Sequence, residues 1–564
     1  MPADSPEPES MLAAVRGLRA GFGIDARRVD AVGCLLTDGA FRSVAELVSL
    51  TGVSRRTVEA VLRAAEPHLD TSDGRVRIAG PHAAAYAAEF GCGQDAPMRD
   101  AWDELARRDP AALAEAAGLA EGAPAPQRDL DQVPATAETV LKRGHYLLRR
   151  FDLRGAHVLC VGDHDLTSLG LFLAGGADGL RVSVVDADEA LLGYIDAEAR
   201  QRGFDVRCYA ADLRPGLPAA LQESSQLVFT DPPYTPEGVR LFVGRGLQGL
   251  ADSRNGRVLV AYGFGEQPAL GLAVQQALSP LHLTYEAVLP GFNRYAGAEA
   301  IGAEAALYVL RPTRRSGRSA QAGADLPGSG VYTHGAQSVE SAARPLADET
   351  AARILALAAG PGEDVLLVGG GWPESCTGQR LPLAALMAAP PPGGLHGHTA
   401  VINLYPGFGS LVFRALLAVS ARRVAIVCRN GVPELRDAAG QRALARLIAP
   451  KYRITRLLRS TPEPDMAVIL AEQARAGELT AAEQVAGYIF ARAHGKLGNA
   501  WREGLITLWK SRGRELTRRD ARRLIESVTA APELLDRCPI DLPGHLFPPL
   551  FAELERSAAA EPTT

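Results

Sequence analysis

Short apolar segments alternate with helical segments between residues 151 and 311, and no other feature of the chain restricts its fold as strongly. The strand-like segments are residues 157–161, 181–186, 206–210, 226–230, 257–262, 285–289 and 305–310. Helical segments lie between the first five, which predicts a parallel, doubly wound sheet with right-handed crossovers. The last two segments follow one another without a helix, so we expect them to form a strand pair at the edge of the sheet.

The chain of 564 residues is too long for one hydrophobic core. A Ser43-capped helix, a turn at Gly52, a second helix after Ser54 and a hairpin around Gly74 predict a winged helix near the N-terminus. The predicted α/β protein has a winged-helix domain (1–85), a helical connector (86–150), a Rossmann-like domain of the methyltransferase type (151–311), a flexible linker (312–350), a second, degenerate Rossmann-like domain (351–475) and a helical tail (476–564).

The second α/β unit is similar to a decayed copy of the first. Its strands are expected at 364–368, 400–404, 423–427 and 466–470, and counterparts of the second and third strands are expected to be lost. A run of three glycines begins at Gly369 after its first strand. An Asn-Leu-Tyr-Pro turn begins at Asn403, where the first unit has Asp-Pro-Pro-Tyr. Because the acids are missing from these turns, we predict a scaffold or an oligomerisation domain.

Composition argues against several classes of protein. The seven cysteines are scattered and include no Cys-x-x-Cys pair, so neither a disulfide framework nor a zinc site is expected. No apolar run approaches the roughly 18 residues of a membrane span, and the acidic N-terminus does not resemble a signal peptide, so a cytoplasmic protein is expected. The net charge of −5 makes a nucleic-acid partner a poor fit. Although Arg55 and Arg56 are placed to contact DNA, we predict that the winged helix serves packing or dimerisation, and we expect a homodimer.

Acidic residues follow four successive strands of the first unit, at the edge where ligands bind in open parallel sheets. These residues are Asp163, Asp165, Asp186, Asp188, Asp212 and Asp231. An acid after the second strand typically binds the ribose hydroxyls of a nucleoside, which assigns Asp186 and Asp188 to ribose. Asp212, after the third strand, is assigned to an adenine amino group. One Asp after a strand is more often a turn former, but acids at four strand ends together indicate a nucleoside site.

The loop after the first strand, Gly162-Asp163-His164-Asp165, indicates which nucleoside binds there. A sulfonium nucleoside that keeps its amino-acid carboxylate usually meets a Gly-rich loop, whose N–H groups face the anion. Like charges about 4 Å apart cost several kcal/mol in a cleft, whereas carboxylates attract an ammonium group. The loop therefore favours decarboxylated S-adenosylmethionine over S-adenosylmethionine, and aminopropyl transfer over methyl transfer.

The turn after the fourth strand, residues 231–235, supplies the groups for the reaction itself. Attack on the carbon next to the sulfonium needs a neutral amine, whereas free polyamines are mostly protonated near pH 7. Asp231 is placed to take a proton or a hydrogen bond from the attacking nitrogen, and Tyr234 to offer a cation–π face. Asp163 and Asp165 would then bind the distal ammonium groups.

Two residues keep alternative roles. His164 is either a base or a solvated or structural histidine. Tyr332 lies in a short island of the linker, 331–334, which is either a lid over the site or an incidental apolar patch.

Three stretches resemble the branched-chain polyamine synthases, or N4-bis(aminopropyl)spermidine synthases, namely residues 162–168, 231–235 and 292–295. The resemblance covers roughly residues 30–311. It implies transfer of aminopropyl groups from decarboxylated S-adenosylmethionine to an internal nitrogen of spermidine, releasing methylthioadenosine, with the donor as co-substrate and no metal or other cofactor. The family's catalytic acids correspond to Asp163, Asp165 and Asp231, and its usual Gly-Asp-Asp-Asp loop has His164 here in place of the middle acid. The further site residues are Gly162, Pro232 and Pro233 for the nucleoside, and His164, Thr235, Asn293, Tyr295 and Tyr332 for the polyamine.

Two other functions stay open. An Asp-Pro-Pro-Tyr turn after a fourth strand also marks adenine N-methylation, so an S-adenosylmethionine-dependent N-methyltransferase is the first alternative. It would need a Gly-rich first loop and a basic groove, and neither is evident. A ligand-sensing transcriptional regulator, with its winged helix on DNA, is the second. Salt-sensitive DNA affinity separates a regulator from the two enzymes.

Overall fold

The computed structural model describes residues 12–23, 26–93, 101–252, 254–265, 267–296, 303–316, 330–333, 345–360, 362–391 and 395–560. Most of the predicted linker, with His334 of the 331–334 island, lies outside the described residues.

The N-terminal part consists of helices and one β-hairpin. Its elements are helices α1 (Ala13–Phe22), α2 (Arg27–Thr37), α3 (Val44–Thr51), α4 (Arg55–Ala65) and α5 (Gly80–Glu89), and strands β1 (Leu69–Ser72) and β2 (Arg75–Ile78). Ser43 and Glu46 form the predicted capping box at the start of α3, and Ser54 caps α4. The antiparallel pairing of β1 with β2 confirms the predicted hairpin.

A disulfide joins Cys34 of α2 to Cys92, which follows α5. It departs from the expectation of no disulfide framework. The two cysteines are 58 positions apart in sequence, and only the packing of α2 against the end of α5 brings them together. Gly33 permits this packing, because a side chain there would collide with the ring of Phe90.

In the described part of the connector, helices α6 (Ala101–Arg107), α7 (Pro110–Gly122) and α8 (Ala137–Arg150) lead into the first sheet. Thr136 caps α8. This helix buries two cations, Lys142 and Arg143. Long basic side chains are rarely buried without a partner, and the partners of Arg143 are acids of the site described below.

The first α/β unit has the predicted Rossmann-like fold. Its strands are β3 (His157–Val161), β4 (Arg181–Asp186), β5 (Val206–Ala210), β6 (Leu227–Thr230), β7 (Arg257–Tyr262), β8 (Leu283–Arg294) and β9 (Glu304–Pro312), and its helices are α9 (Thr167–Leu173), α10 (Glu189–Arg202), α11 (Pro236–Gly249) and α12 (Pro268–Leu278). The strand order is β5-β4-β3-β6-β7-β9-β8. Strands β3 to β7 pair in parallel, and β8 and β9 form the expected antiparallel pair.

Helices cover both faces of this sheet, because successive side chains of a strand point to opposite sides. Val158 and Cys160 of β3 pack in one apolar cluster with residues of α8, α9 and α10. Leu159 and Val161 of the same strand pack with residues of α11 and α12. With both faces apolar, polar groups collect at the strand ends, and the order of strands reverses between β3 and β6, where ligands bind in such sheets.

The second α/β unit repeats the topology of the first. Its elements are α13 (Asp348–Ala358), β10 (Val365–Val368), β11 (Gln379–Leu381), α14 (Leu383–Ala388), β12 (Leu395–Asn403), α15 (Val412–Ala418), β13 (Ala421–Arg429), α16 (Pro433–Arg436), α17 (Ala438–Ile448), β14 (Tyr452–Arg459) and β15 (Met466–Gln473). The strand order β11-β10-β12-β13-β15-β14 matches that of the first sheet with β5 removed. Thus β10 corresponds to β3, and β12 corresponds to β6.

Two strands of this unit correct the sequence analysis. The second strand is not lost, because β11 lies beside β10 and pairs with it in parallel. It was missed because it has three residues and exposes Gln379 and Arg380. Strand β14 was missed because it is an edge strand rich in arginine rather than an apolar run.

The described C-terminal residues are helical, as expected for the predicted tail, and their α-helices are α18 (Ala481–Phe490), α19 (Leu497–Ser511), α20 (Arg518–Val528) and α21 (Phe547–Ala559). Trp501 and Phe547 of these helices share one apolar core with Ile426 and Ile469 of the second sheet. The helical tail therefore packs with the second α/β unit as one body. Across the described ranges, the helices are all too short or too polar to cross a lipid bilayer.

Candidate active site

A cavity of about 470 Å³ opens at the carboxyl ends of β3, β4 and β6. The predicted site residues that line it are Gly162, Asp163, His164, Asp165, Asp186, Asp231, Pro232, Pro233, Tyr234, Tyr295 and Tyr332. They come from loops far apart in the sequence. They meet in one place because parallel strands end at the same edge of a sheet.

The guanidinium of Arg143 lies beneath the acids of this cavity and is completely buried. Its Nη1 is 2.7 Å from Asp165 Oδ2, and its Nη2 is 2.7 Å from Asp231 Oδ2. Its Nε donates to Asn293 Oδ1 at 2.8 Å, which fixes the plane of the guanidinium. One cation thereby offsets the repulsion between two carboxylates that burial would otherwise strengthen.

Two tyrosines complete the network around Asp231. The Tyr295 hydroxyl donates to Asp231 Oδ2 at 2.6 Å, and the Tyr234 hydroxyl donates to the Tyr295 oxygen at 3.0 Å. Burial, reinforced by the Asp231 carboxylate, raises the pKa of both phenols well above its usual value. Both hydroxyls therefore remain protonated donors at neutral pH.

The two acids bound by Arg143 differ in protonation. Burial raises the pKa of Asp231 well above its ordinary value, and the charge of Asp165 raises it further. Burial also acts on Asp165, but the Arg143 guanidinium outweighs it and holds the pKa of Asp165 below its ordinary value. Of the two acids, Asp231 is therefore the one whose protonation the site favours, and Asp165 is the one whose ionised form Arg143 stabilises.

Asp165 has both carboxylate oxygens engaged within the protein. Oδ2 pairs with Arg143, and Oδ1 accepts a hydrogen bond from the backbone N–H of Ala135 at 2.7 Å. This arrangement fixes the position of Arg143 and the start of α8. Because both oxygens are engaged, Asp165 has less hydrogen-bonding capacity for a distal ammonium group than the sequence analysis expected.

Asp163 and Asp186 form a second pair of buried acids. The Asp163 carboxylate accepts from the backbone N–H of Ser168 at 3.2 Å, and Asp186 Oδ2 accepts from the backbone N–H of Asp163 at 3.2 Å. Burial raises the pKa of Asp163 to about 7 and that of Asp186 to about 6. Both acids therefore exchange protons near neutral pH, where a bound cation would favour their ionised forms.

His164 is a neutral imidazole within this acidic loop. Burial lowers the pKa of His164, despite the opposing charges of Asp165 and Asp188. Within the described residues, neither ring nitrogen has a hydrogen-bond partner. Buried polar atoms are normally satisfied, so the ring retains hydrogen-bonding capacity for a ligand.

The short segment 330–333 lies against the mouth of the cavity. Thr235 Oγ1 donates to the carbonyl of Val331 at 2.8 Å. The backbone N–H and the hydroxyl of Thr333 both donate to the Asp131 carboxylate, each at 2.6 Å. Tyr332, between these anchors, lies in the cavity lining. This position favours the lid among the two alternatives for the 331–334 island.

Four predicted site residues lie outside the cavity lining. Asp188 caps α10 by accepting from two backbone N–H groups, and Thr235 caps α11. The carboxylate of Asp212 is bound by Arg214, and Asn293 holds Arg143. For Asp188 and Thr235 the ordinary capping role of Asp and Thr accounts for the residue.

Sequence reasoning missed Arg143, although its helix contains a signal. Val140, Gly144 and Leu147 recur at helical spacing on one buried face of α8, and Arg143 lies on that face. A cation on an apolar face must have a buried partner. The identity of that partner cannot be read from the helix.

Comparison with known proteins matches part of the chain. Residues 112–319, a little over a third of the chain, match the family model of the branched-chain polyamine synthase A C-terminal domain. An uncharacterized protein of Methanocaldococcus jannaschii is 36% identical over 174 residues, which make up 30% of this chain and 43% of that protein. The N(4)-bis(aminopropyl)spermidine synthase of Thermococcus kodakarensis is 38% identical over 125 residues, 22% of this chain and 35% of that protein.

Among solved structures, the Thermus thermophilus branched-chain polyamine synthase in complex with N4-aminopropylspermidine and 5′-methylthioadenosine is 23% identical. Its TM-score is 0.37, and the alignment covers 55% of this chain and 94% of that one. The chain spans less than half the length of the curated relatives that it matches. The similarity to the branched-chain polyamine synthases that the sequence motifs indicate is therefore confirmed for residues 112–319.

Proposed function

We propose that the chain is an aminopropyltransferase that moves aminopropyl groups from decarboxylated S-adenosylmethionine to a nitrogen of a spermidine-like polyamine and releases 5′-methylthioadenosine. One observation carries the proposal. The cavity at the reversal of strand order is lined by acids, namely Asp131, Asp163, Asp165, Asp186 and Asp231. Such a lining suits a substrate with several ammonium groups and a donor without a carboxylate. The names of the matched relatives support the same reaction.

The reaction is a nucleophilic substitution. The amine nitrogen donates its lone pair to the aminopropyl methylene carbon that is bonded to sulfur. The bond between that carbon and sulfur breaks, and its electrons return to sulfur, which becomes the neutral thioether of 5′-methylthioadenosine. The nitrogen then carries the positive charge and releases one proton. We assign Asp231, in its ionised form, as the acceptor of that proton.

The geometry around Asp231 supports this assignment. Its Oδ2 is held by Arg143 and Tyr295 at 2.7 and 2.6 Å, whereas its Oδ1 meets the Tyr234 hydroxyl at 3.3 Å. Oδ1 is therefore the oxygen that we assign to the amine. A cationic substrate lowers the pKa of a neighbouring carboxyl, so binding itself would release the proton of Asp231.

The other acids take separate roles in this proposal. Asp163 binds a distal ammonium group, and Asp186 binds the ribose hydroxyls of the donor. Asp165, whose oxygens are both engaged, holds Arg143 in position instead of binding the polyamine. His164 accepts a hydrogen bond from a ligand N–H through one ring nitrogen.

Incubation of the protein with either donor and a panel of polyamines, followed by mass spectrometry, tests the proposal. Aminopropylated polyamine and 5′-methylthioadenosine are expected only when the donor is decarboxylated S-adenosylmethionine. A methylated product formed from ordinary S-adenosylmethionine would favour the second candidate, N-methyl transfer. That candidate draws its support from the turn at Asp231, which follows the fourth strand of a methyltransferase-like sheet.

We further propose that the N-terminal part is a winged-helix domain that packs against the Rossmann-like domain. Its predicted end at residue 85 lies within α5, so we place the boundary after that helix. The helical tail (476–564), predicted as a separate domain, shares one core with the second α/β unit (351–475). The turn between α3 and α4 packs closely on β8, because a Cβ atom added at Gly52 would lie 1.6 Å from Arg294 Nη1. This close contact supports a packing role for the N-terminal part. Arg294 precedes Tyr295 of the cavity. DNA affinity that falls with salt would instead support the transcriptional regulator. The homodimer and the cytoplasmic location remain predictions.

A further inference from the structure

Contacts from the second half of the chain converge on β5 and α10, beside the cavity. Arg537, which precedes α21, donates to the carbonyl of Cys208 in β5. Arg414 of α15 pairs with Glu189 at the start of α10. The second α/β unit and the tail therefore bind the elements that carry the nucleoside side of the proposed site.

Arg214, four positions after β5, connects the second α/β unit to a loop that lines the cavity. Its Nε and Nη2 bind the Asp212 carboxylate at 3.0 and 2.5 Å, and Nη2 also donates to the carbonyl of Gly407 at 2.7 Å. The guanidinium lies 4.0 Å over the ring of Phe408. Because the Arg214 side chain is only 3% exposed, water cannot replace these partners.

The loop that Arg214 anchors forms part of the cavity wall. Ala211 and Leu213, on either side of Asp212, line the cavity. Arg245 of α11 donates to the carbonyl of Leu213 at 2.6 Å, which holds the loop from a second side. A displacement of Asp212 would therefore move the two residues that face the ligand.

The residues of the second unit that contact Arg214 can be compared with the matching part of the first unit. Gly407 and Phe408 directly follow the Asn-Leu-Tyr-Pro turn after β12, which is the counterpart of the Asp231 turn after β6. The second unit, whose turn lacks the acids, uses the residues after that turn to contact the first unit. We infer that the second α/β unit, through Arg214, fixes the position of Ala211 and Leu213, the part of the cavity wall that we assign to the nucleoside. Arg214 is a positioning residue and does not touch substrate. The inference rests on the proposed function, which supplies the nucleoside.

The test measures binding of 5′-methylthioadenosine to the full-length chain by calorimetry, together with steady-state kinetics. Arg214→Gln is expected to weaken binding about tenfold, because it leaves Asp212 buried without its cation. Phe408→Leu is expected to weaken binding about threefold, and Phe408→Tyr, which keeps the ring, to bind like the wild type. In both weakened variants the KM for the decarboxylated donor rises by a similar factor, and the KM for the polyamine does not change.

His545→Ala is the matched control. His545 pairs with Asp196 of α10 at 2.9 Å across the same interface, and neither residue lines the cavity. Its nucleoside binding is expected to be unchanged. An equal loss in His545→Ala, or an equal rise of both KM values in the variants, would indicate general destabilisation and overturn the inference.

Wild-type binding in both Arg214→Gln and Phe408→Leu would also overturn it. If Arg214→Gln does not fold, the difference between Phe408→Leu and Phe408→Tyr decides the question. A wild-type chain that binds no 5′-methylthioadenosine would instead overturn the proposed function, and this inference with it.

Discussion

Nη2 of Arg143 lies 2.7 Å from Oδ2 of Asp231 and leaves Oδ1 of that carboxylate toward the proposed amine. The same guanidinium also holds Asp165, so one buried cation serves two buried acids. Arg143, Asp165 and Asp231 together would carry a net negative charge if both acids were ionised, and burial disfavours that charge. The same factors raise the pKa of Asp231, and a cationic substrate beside Asp231 would lower it again.

Arg143→Met is expected to lower the free energy of unfolding by about 3–5 kcal/mol at pH 8, because it leaves the buried acids Asp165 and Asp231 without their cation. Protonation of those carboxylates relieves the cost, so the loss should be smaller at pH 5. Urea unfolding at the two pH values measures it. A variant as stable as the wild type at pH 8 would contradict the role of Arg143.

Asp231→Asn is expected to lower kcat by about 10²- to 10⁴-fold, the usual contribution of a positioned base. Binding of 5′-methylthioadenosine should change less than about twofold, because the amide keeps the size of the side chain. Single-turnover kinetics and calorimetry separate the two effects. Asp437→Asn, which alters the cap of α17 in the second α/β unit, is the acid-to-amide control and should keep most of the turnover.

Polyamine affinity is expected to rise as pH increases from 6 to 8. The pKa of Asp163, the acid that we assign to a distal ammonium group, is raised to about 7, so this carboxyl is largely neutral below pH 7 and negative above it. Asp186, which we assign to the ribose, has a pKa of about 6 and adds negative charge to the same cavity above that pH. Because a polycation binds the ionised forms, binding near pH 7 should release protons. Calorimetry in buffers of different ionisation enthalpy measures this release, and proton uptake would refute the assignment. Asp163→Asn should flatten the profile around pH 7.

His164→Asp restores an acid to the middle of the first loop. The added charge should lower the KM for the polyamine by about 3- to 10-fold at pH 7.5, as one more carboxylate near an ammonium group. His164→Asn, which is neutral and of similar size, provides the comparison. If both variants change the KM equally, the charge of residue 164 does not select the acceptor.

The sequence by itself determined the elements of the first α/β unit and the edge at which its acids meet. Alternating apolar segments fix strands and helices through local side-chain periodicity, and parallel strands bring Asp163 and Asp231 to one edge. The tertiary structure decided which acids face the cavity. Asp188 serves a helix, and Asp212 is held by Arg214.

Only the tertiary structure could supply the partners of these charges. Arg143 meets Asp231 across 88 positions, and Arg214 meets Gly407 across 193 positions. Periodicity depends on neighbours within a few residues, whereas the pairing of buried charges depends on distance in space. A cation on the buried face of α8 could therefore be recognised in the sequence, but its acids could not.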